Sequence, residues 1–455
     1  MDLPTLSVLL PNYNHARFIG HALNAILSQS VQPLEIIVVD DGSTDDSLQV
    51  IEALARHHPH IRVLRNEVNR GVNYSLNRAL AVAKGTYIYG AAADDQVLPG
   101  FFERSLWLLA EHPQAALCCS YPSRVDAVTG EVSENVLDWS VQERYFPPAE
   151  LAAAMRGHAI AGHTAIVRRD VFAEAGGWIG ELQWFTDWYA LQVSAFRGGA
   201  CFVPATLALF RSSLISFYST GVRNRELQFR AIENLLRRLQ SPECCDVVHL
   251  FQRSGVLAEI GLDAVRVLAM HRDLQTPLMI ELLRPMLLAG ARQLLRDTDP
   301  EVRRGTAVLL GGLGMAAWRS LPQLVAGRDD PHPQACRAAC TAIGRVLGPV
   351  DRLGLGIPGR IVVGTFSATN QAKWAVKNWL KPFAAGVYRS VNAKLYGHLD
   401  RFEAGLNECH ETCIEEERNL AHELRKMRES LGTAVDSRRM QPAVWSAAPA
   451  LTKGS

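Results

Sequence analysis

The sequence lacks an excess of charge of either sign, and it lacks an apolar run long enough to cross a membrane. Its 455 residues carry a net charge of +1, which gives no reason to expect a polyanion such as nucleic acid as a partner. The most apolar stretch, TAVLLGGLGMAAW at 306–318, is too short to span a bilayer. The N-terminal apolar run is short and has no basic flank, unlike a signal peptide. We therefore expect a soluble, cytoplasmic protein.

A disulfide framework is also missing. The nine cysteines are an odd number and are scattered, most of them within apolar segments, which is typical of reduced core cysteines. Cys409, His410 and Cys413 have the spacing of metal ligands, but no second pair accompanies them, so a zinc site is not expected. The composition, 48% hydrophobic and 20% charged, is that of an ordinary globular protein, and the length predicts two or three domains.

The first half of the chain alternates short apolar runs with amphipathic helical patterns. The runs at 6–11, 35–43, 61–67 and 86–92 predict four buried strands with helices between them. Such alternation indicates a parallel sheet covered on both faces, in which ligands bind beyond the carboxyl ends of the strands. The acidic stretches VDDGS and AAADD stand at such strand ends, so we expect a site there.

From about residue 225 the pattern becomes helical without strand signals. The stretches 297–314 and 330–347 align at an offset of 33, pairing Pro300 with Pro333 and Gly311 with Gly344, and resemble HEAT-type repeats. We predict an α/β domain with a mixed, mainly parallel sheet and an all-α C-terminal region. The predicted boundaries are 1–225 for the α/β domain, 226–348 for the HEAT-like helices, 349–372 for a linker, 373–431 for a basic amphipathic segment with a long helix, and 432–455 for a disordered tail.

Two interpretations stay open for the segment 373–399, which interleaves lysine and arginine with aromatic residues and has no acidic residue. It could rest on an anionic membrane surface, or it could be a solvated helix that packs on its neighbour. Beyond it, apolar residues with helical spacing up to Leu431 predict a long helix and a short coiled coil, through which a homo-oligomer could form.

The ordered motifs LLPNYNHARF, VVDDGSTDD, NRGVNYSLN and AAADDQVLPG closely resemble those of family 2 glycosyltransferases, which have the GT-A fold. The resemblance covers roughly the first half of the chain. It implies transfer of a sugar from a nucleotide diphosphate donor, usually with a divalent cation, Mn²⁺ or Mg²⁺, and with inversion at the anomeric carbon.

The resemblance assigns the donor nucleotide to residues of the early loops. Tyr13 could stack on a base, while carboxylates at a strand end can accept hydrogen bonds from the base imide and the ribose. The matching positions are Pro11, Asn12, Tyr13, Asp40 and Asp41. Leu76 stands where the family often has arginine, so Arg70 or Arg78 would have to substitute. Without the family, VDDGSTDDS is an Asx turn followed by a capped helix.

The resemblance assigns the diphosphate and the chemistry to later motifs. Asp95 is the implied metal ligand, and Asp94 would face the ribose or a metal-bound water, with Ala92 replacing a first acid. Asp187, in FTDW after the GGW turn, matches the general base that deprotonates the acceptor hydroxyl, and Thr186 replaces a common glutamate. Arg211 in LALFRSS matches a phosphate-contacting position, and Ser213 replaces the usual histidine.

These assignments predict an inverting glycosyltransferase that uses a nucleotide sugar, with UDP as the expected carrier, and a glycan or lipid-linked acceptor in polysaccharide synthesis at the inner membrane face. His158 and His163 line the acceptor cleft or are structural. The alternative is a scaffold that binds partners through the HEAT-like helices and coiled coil, with a vestigial transferase domain. A nucleotidyltransferase would need a Gly-rich basic loop that PNYNHARF lacks.

Overall fold

The computed structural model of the protein describes residues 2–212 and 217–351. The predictions for residues 352–455, including the basic aromatic segment and the long helix, lie outside the described residues, as does Ser213. The chain divides into two compact units, Met1–Leu309 with Pro331–Ala335 and Leu310–Asp330 with Cys336–Ser455. The helical residues up to Leu309 therefore belong to the same unit as the sheet.

The strands lie in the first half of the chain. They are β1 Leu6–Asn12, β2 Glu35–Asp40, β3 Ile61–Arg65, β4 Tyr87–Gly90, β5 Gln96–Val97, β6 Leu117–Cys119, β7 Ser123–Asp126, β8 Val132–Ser133, β9 Arg144–Phe146, β10 Ile166–Arg168, β11 Ala200–Phe202 and β12 Ala208–Ser212.

The helices cover the sheet and then continue alone. They are α1 Ala16–Leu27, α2 Ser47–His57, α3 Val72–Leu80, α4 Phe101–Glu111, α5 Pro148–Met155, α6 Arg169–Glu174, α7 Thr186–Gly198, α8 Phe217–Arg223, α9 Arg225–Gln240, α10 Val248–Ser254, α11 Leu262–Met270, α12 Pro277–Leu294, α13 Pro300–Gly312, α14 Leu321–Ala326 and α15 Pro333–Asp351.

The main sheet has eight strands in the order β3-β2-β1-β4-β10-β6-β11-β9. The first four are mutually parallel, and they are the four strands that the apolar runs predict. Every residue of β2 is buried, as expected for a strand with helices on both faces. Because β10 pairs antiparallel with β4 and β6, the sheet is mixed, which confirms the predicted fold class.

A second sheet, β5-β12-β7-β8, forms beside the ends of the main strands. Its strand β12 pairs antiparallel with β5, so that Leu209 lies opposite Gln96. This pairing brings the residues after Leu209 next to the turn that contains Asp94 and Asp95. The sequence does not predict this sheet, because strands of two to five residues carry little periodic signal.

The region after β12 is helical throughout its described residues, which confirms an all-α C-terminal part. In α9 the buried residues recur at helical spacing, for example Ile232, Leu235 and Leu239, and α11 and α12 pack against this helix. Helix α10 packs against α5 of the α/β region. Among the described residues, no helix combines the length and apolar composition needed to cross a membrane.

The two repeat-like stretches both form helices, and their paired prolines occupy equivalent places. Pro300 is the first residue of α13 and Pro333 the first residue of α15, where a missing N–H costs nothing. Gly311 lies so close to α15 that a Cβ there would be 2.9 Å from the Cα of Ala342. Its partner in the alignment, Gly344, has open space instead. The HEAT-type architecture stays a prediction.

Candidate active site

The first part of the site is the edge where β1 and β2 end. Asn12 lies opposite Asp40 in the parallel register, and its side-chain amide donates to Asp40 Oδ1 and to Ser43 Oγ, both at 3.1 Å. Asp40 Oδ2 also accepts the backbone N–H of Ser43 at 3.2 Å. Both side chains are buried, and these bonds hold the loops after β1 and β2 together.

Those neighbouring loops are joined by a second group of hydrogen bonds. Asn14, at φ +56°, donates its backbone N–H to Ser43 Oγ at 3.0 Å, and its Oδ1 accepts the N–H of Thr44 at 2.8 Å. Asparagine tolerates this left-handed conformation better than most residues. Tyr13, just before it, remains 41% exposed. The early loops are therefore rigid, with an aromatic ring free to contact a ligand.

Asp41 lies almost entirely inside the protein. It is 3% exposed; its Oδ1 accepts the side-chain amide of Asn66 at 2.6 Å and the N–H of Arg70 at 2.9 Å, and its Oδ2 accepts the N–H of Gly71 at 2.8 Å. Gly42 follows at φ +72°, where a Cβ would lie 2.9 Å from the backbone of Val68. The base-contacting role of Asp41 stays a prediction; the structure adds that its carboxylate holds the 66–71 segment.

The two arginines considered in place of the missing family arginine have different surroundings. Arg78 donates to the carbonyl of Arg65 at 2.7 Å and to Asn66 Oδ1, so it is engaged within the protein. The guanidinium of Arg70 lies 4.4 Å from the ring centroid of Tyr74, which is exposed. Leu76 is buried in the core. Of the two, Arg70 is the one that could contact a donor.

The acidic pair follows β4. Asp95 Oδ1 accepts the backbone N–H of Arg211 at 2.9 Å, and Arg211 Nε donates to the carbonyl of Asp94 at 3.0 Å. The guanidinium of Arg211 lies 5.2 Å from the ring of Phe18. Residues predicted from two separate motifs, Asp94 and Asp95 from one and Arg211 from the other, therefore lie together, and the pairing of β12 with β5 joins them.

The charge of Asp95 is poorly compensated by the protein. Burial and the neighbouring carboxylate of Asp94 raise the pKa of Asp95 to about 7, although the Arg211 N–H opposes this. Two adjacent carboxylates that lack a full set of donors suit a hard divalent cation, which prefers oxygen ligands. Among residues 2–212 and 217–351 no group of three or more His, Cys, Asp or Glu is arranged to hold a metal. A cation here would need further ligands from its substrate or from water.

The candidate base, Asp187, lies in the first turn of α7. Its Oδ1 accepts the backbone N–H of Trp188 at 2.8 Å. Its Oδ2 packs against Gly162, where a Cβ would lie only 2.2 Å from that oxygen. Burial raises the pKa of Asp187, so its carboxylate is a stronger base than an exposed one. Thr186, at the position where glutamate is common, is buried.

A chain of contacts connects β4, the strand that leads to the acidic pair, with Asp187. The hydroxyl of Tyr89, which lies in β4, donates to the carbonyl of His163 at 3.1 Å, and burial together with Asp95 raises the pKa of this tyrosine. His163 follows Gly162, which contacts Asp187. Tyr89 and Gly162 were not singled out by the sequence, because an apolar strand residue and a lone glycine carry no chemical signal.

His163 itself has a structural environment. One ring nitrogen, Nε2, lies 3.1 Å from the carbonyl of Ser123, and the ring contacts Phe210 with centroids 5.9 Å apart. Burial lowers the pKa of His163 to about 4, so the ring is neutral at physiological pH. Of the two interpretations that the sequence left open for this residue, these contacts favour the structural one.

The GGW turn before the base is tied to helix α3. Asn77 accepts the N–H of Trp178 at 3.1 Å and donates to its carbonyl at 2.6 Å. Gln183, in the short helical turn that leads to α7, has φ +53° and ψ −119°, an arrangement that costs of order 1–3 kcal/mol for a non-glycine residue. The side-chain amide of Asn73 donates to the carbonyl of Gln183 at 3.1 Å. The segment leading to Asp187 is thus constrained from α3.

An α/β region with a mixed sheet and acidic residues at the strand ends defines the class: a GT-A-like nucleotide-sugar-binding domain. Residues 7–176 match the family model described as Glycosyl transferase family 2. The chain is also 31% identical over 230 residues to the Mycobacterium tuberculosis protein "Uncharacterized protein MT1568", covering 46% of this chain and 67% of that one. The chain belongs to glycosyltransferase family 2, whose members are nucleotide-sugar-dependent glycosyltransferases.

Two further similarities are weaker. The chain is 29% identical over 158 residues to chondroitin synthase from Escherichia coli, covering 34% of this chain and 22% of that one. Among solved structures, S. aureus TarS 1-349 in complex with UDP-GlcNAc has a TM-score of 0.49 at 15% identity, covering 77% of this chain and 92% of that one. The chain therefore spans two thirds of one curated relative and under a quarter of another.

Proposed function

We propose that the protein transfers a sugar from a nucleotide diphosphate donor to a hydroxyl group of a glycan or lipid-linked acceptor, with inversion. The observation that carries this proposal is the link between β4, the strand that leads to Asp95, and Asp187: Tyr89 of β4 donates to the carbonyl of His163, whose neighbour Gly162 packs against Asp187. It joins a carboxylate pair suited to a diphosphate-bound cation with a separate buried carboxylate suited to proton abstraction. The match to chondroitin synthase supports a glycan acceptor.

On the donor side, Tyr13 would stack on the base, and the rigid loops after β1 and β2 would set its position. UDP is the carrier we expect, as the family resemblance implies. Asp95, with Asp94 beside it, would hold Mn²⁺ or Mg²⁺, which would neutralise charge on the leaving nucleoside diphosphate. Arg211, fixed by its bond to the Asp94 carbonyl, would add positive charge beside the phosphates.

On the acceptor side, Asp187 would accept the proton of the attacking hydroxyl. Its raised pKa favours that step, because a base is most effective when its pKa approaches the operating pH. The hydroxyl oxygen would form the new bond to the anomeric carbon while the bond from that carbon to the diphosphate breaks. The packing of Oδ2 against Gly162 would limit the directions from which the hydroxyl can approach.

The first test is calorimetric titration of UDP, GDP and dTDP into the full chain, with and without Mn²⁺. We expect one nucleotide to bind in a Mn²⁺-dependent manner and Asp95→Asn to abolish the dependence. Asp138→Asn is the matched control, because that aspartate pairs with Arg156 on the surface, where an ion pair contributes little. Failure of the folded wild-type chain to bind any of the three would contradict the proposal and favour a scaffold.

A second test measures the chemistry without knowledge of the acceptor. UDP-glucose, UDP-galactose and UDP-GlcNAc are incubated with the protein and Mn²⁺, and release of UDP to water is followed. We expect slow hydrolysis of at least one donor. Addition of lipid extracts or oligosaccharides should accelerate UDP release when they contain the acceptor. Contact with a membrane through 373–399 stays a prediction.

A further inference from the structure

Residues 157–164, here called the base loop, connect α5 to the region before β10 and pass directly beside Asp187. Gly162 belongs to this loop, and the carboxylate oxygen Oδ2 of Asp187 occupies the space that a side chain at 162 would fill. The position of the base therefore depends on where the base loop lies. This makes the contacts that hold the loop relevant to the reaction.

The first of these contacts comes from α7, the helix that also carries Asp187. Gln192 is fully buried; its Oε1 accepts the N–H of Ile160 at 3.3 Å, and its Nε2 donates to the carbonyl of the same residue at 3.1 Å. Both polar ends of the amide are thereby satisfied by one residue of the loop, which fixes the spacing between the loop and α7.

The second contact comes from the helical region that follows the sheet. Glu259, in the short turn Val256–Ile260, accepts the N–H of Ala159 at 2.8 Å through Oε1. Its other oxygen, Oε2, accepts the indole N–H of Trp188 at 3.3 Å. Trp188 is the residue after Asp187, and its backbone N–H donates to the base. One carboxylate thus joins the base loop to the start of α7.

A third contact supports the same arrangement. The N–H of Gly157 donates to the carbonyl of Ser254 at 2.7 Å, where α10 ends, and α10 packs along α5. The helical region therefore contacts the base loop at its beginning and again two residues later. These contacts lie close to the candidate base, Asp187.

We infer that Glu259 and Gln192 are positioning residues for Asp187: they hold the base loop against α7 so that Gly162 limits where the carboxylate can lie. This inference rests on the proposed function. A catalytic group must be held within a fraction of an ångström of its productive position, and the residues around it supply that restraint. The helical region of this chain would then be part of the transferase and not only a surface for partners.

The test compares Glu259→Ala, Glu259→Gln and Gly162→Ala in the full chain by donor hydrolysis, with UDP release from the three UDP sugars as the readout. Gly162→Ala should lower kcat by about 100-fold, because its Cβ displaces Asp187. Glu259→Ala should lower kcat by about tenfold with KM changed less than about twofold. Glu259→Gln keeps an acceptor for the Ala159 N–H and should recover part of the loss.

Gly180→Ala is the matched control, because a Cβ at this glycine meets no atom within 4 Å. The activity of this variant should equal that of the wild type. A merely structural role for Glu259 would lower the melting temperature and leave kcat of the folded protein unchanged. In an Asp187→Asn background the inference requires Glu259→Ala to have no further effect. Gln192 is avoided as a test position, since replacing a buried amide endangers the fold.

The outcomes distinguish failure of the proposed function from failure of the positioning role of Glu259. If the wild-type chain binds no nucleotide and releases no UDP from any donor, the proposed function is wrong. If the wild type is active and Glu259→Ala matches it in kcat, or if Glu259→Ala still lowers activity in the Asp187→Asn background, the positioning role is wrong and the proposed function is untouched.

Discussion

The protein contains two sets of aspartates with opposite surroundings: Asp40 and Asp41 at the end of β2, and Asp95 and Asp187, which lie after β4 and in the first turn of α7. Asp40 and Asp41, after β2, are saturated with internal donors that include side-chain amides and backbone N–H groups. Asp95 and Asp187 accept few internal hydrogen bonds, and burial raises the pKa of each. The difference shows that similar acidic motifs are held in two ways: the first set is bonded to neighbouring loops, and the second is left with few protein donors, as the proposed metal ligand and base require.

The largest expected effect comes from removing the candidate base. Asp187→Asn keeps the shape of the side chain and its acceptor for the Trp188 N–H but cannot take a proton. We expect kcat to fall by about 10³-fold, within the range attributed to general base catalysis, while the affinity for the nucleotide stays unchanged. Steady-state UDP release and calorimetry measure the two quantities; equal losses in both would contradict the assignment.

The next effect tests the structural pair. Asp41→Ala removes an acceptor from the buried side-chain amide of Asn66 and from the backbone N–H groups of Arg70 and Gly71, which are exposed residues. We therefore expect the free energy of unfolding to fall by about 2 kcal/mol. Urea denaturation measures this change. Asp46→Ala, in the same loop, is the control, because this N-cap residue makes no side-chain capping bond. A variant as stable as wild type would show that Asp41 is not a structural residue.

Asp95→Asn should have the opposite effect on stability. The pKa of Asp95 in the folded protein is raised to about 7 from an ordinary 3.8. The stability that protonated Asp95 contributes is therefore fully present below about pH 4 and is lost as the pH rises through about 7. Without metal, the variant should therefore equal the wild type at pH 4. At pH 8 it should be more stable by about 2 kcal/mol, a value discounted for partial exposure. If Asp95→Asn were less stable than the wild type at pH 8, the poor compensation of the Asp95 charge would be contradicted.

The smallest effect concerns the pH dependence of activity. Because burial raises the pKa of Asp187, the carboxylate keeps its proton to a higher pH than an exposed aspartate. The acid limb of kcat/KM should then lie above the ordinary aspartate range near pH 4. A pH profile of UDP release measures it, and the residual activity of Asp187→Asn should lack this limb. An acid limb near pH 4 would mean that the base is solvated.

Much of the site was predictable from motifs, because strand ends in a parallel sheet meet at one edge. The predicted residues Asp94, Asp95 and Arg211 lie together in the structure, and Tyr13 is exposed in the loop after β1. The internal bonding of Asp41 and the engagement of Arg78 were not predictable. Both depend on Asn66, which directly follows β3, and no local sequence pattern indicates which residues Asn66 contacts.

The sequence alone determined the βα order of the first four strands, the placement of the acidic motifs at strand ends and the helical character of the described residues after β12. These properties follow from local periodicity and residue type. Only the tertiary structure decided which carboxylates are bonded by several protein donors and which have a raised pKa, and that Gly162 and Glu259 lie near the candidate base. These outcomes depend on contacts between residues up to about a hundred positions apart, such as Ala159 with Glu259, which local sequence patterns do not encode.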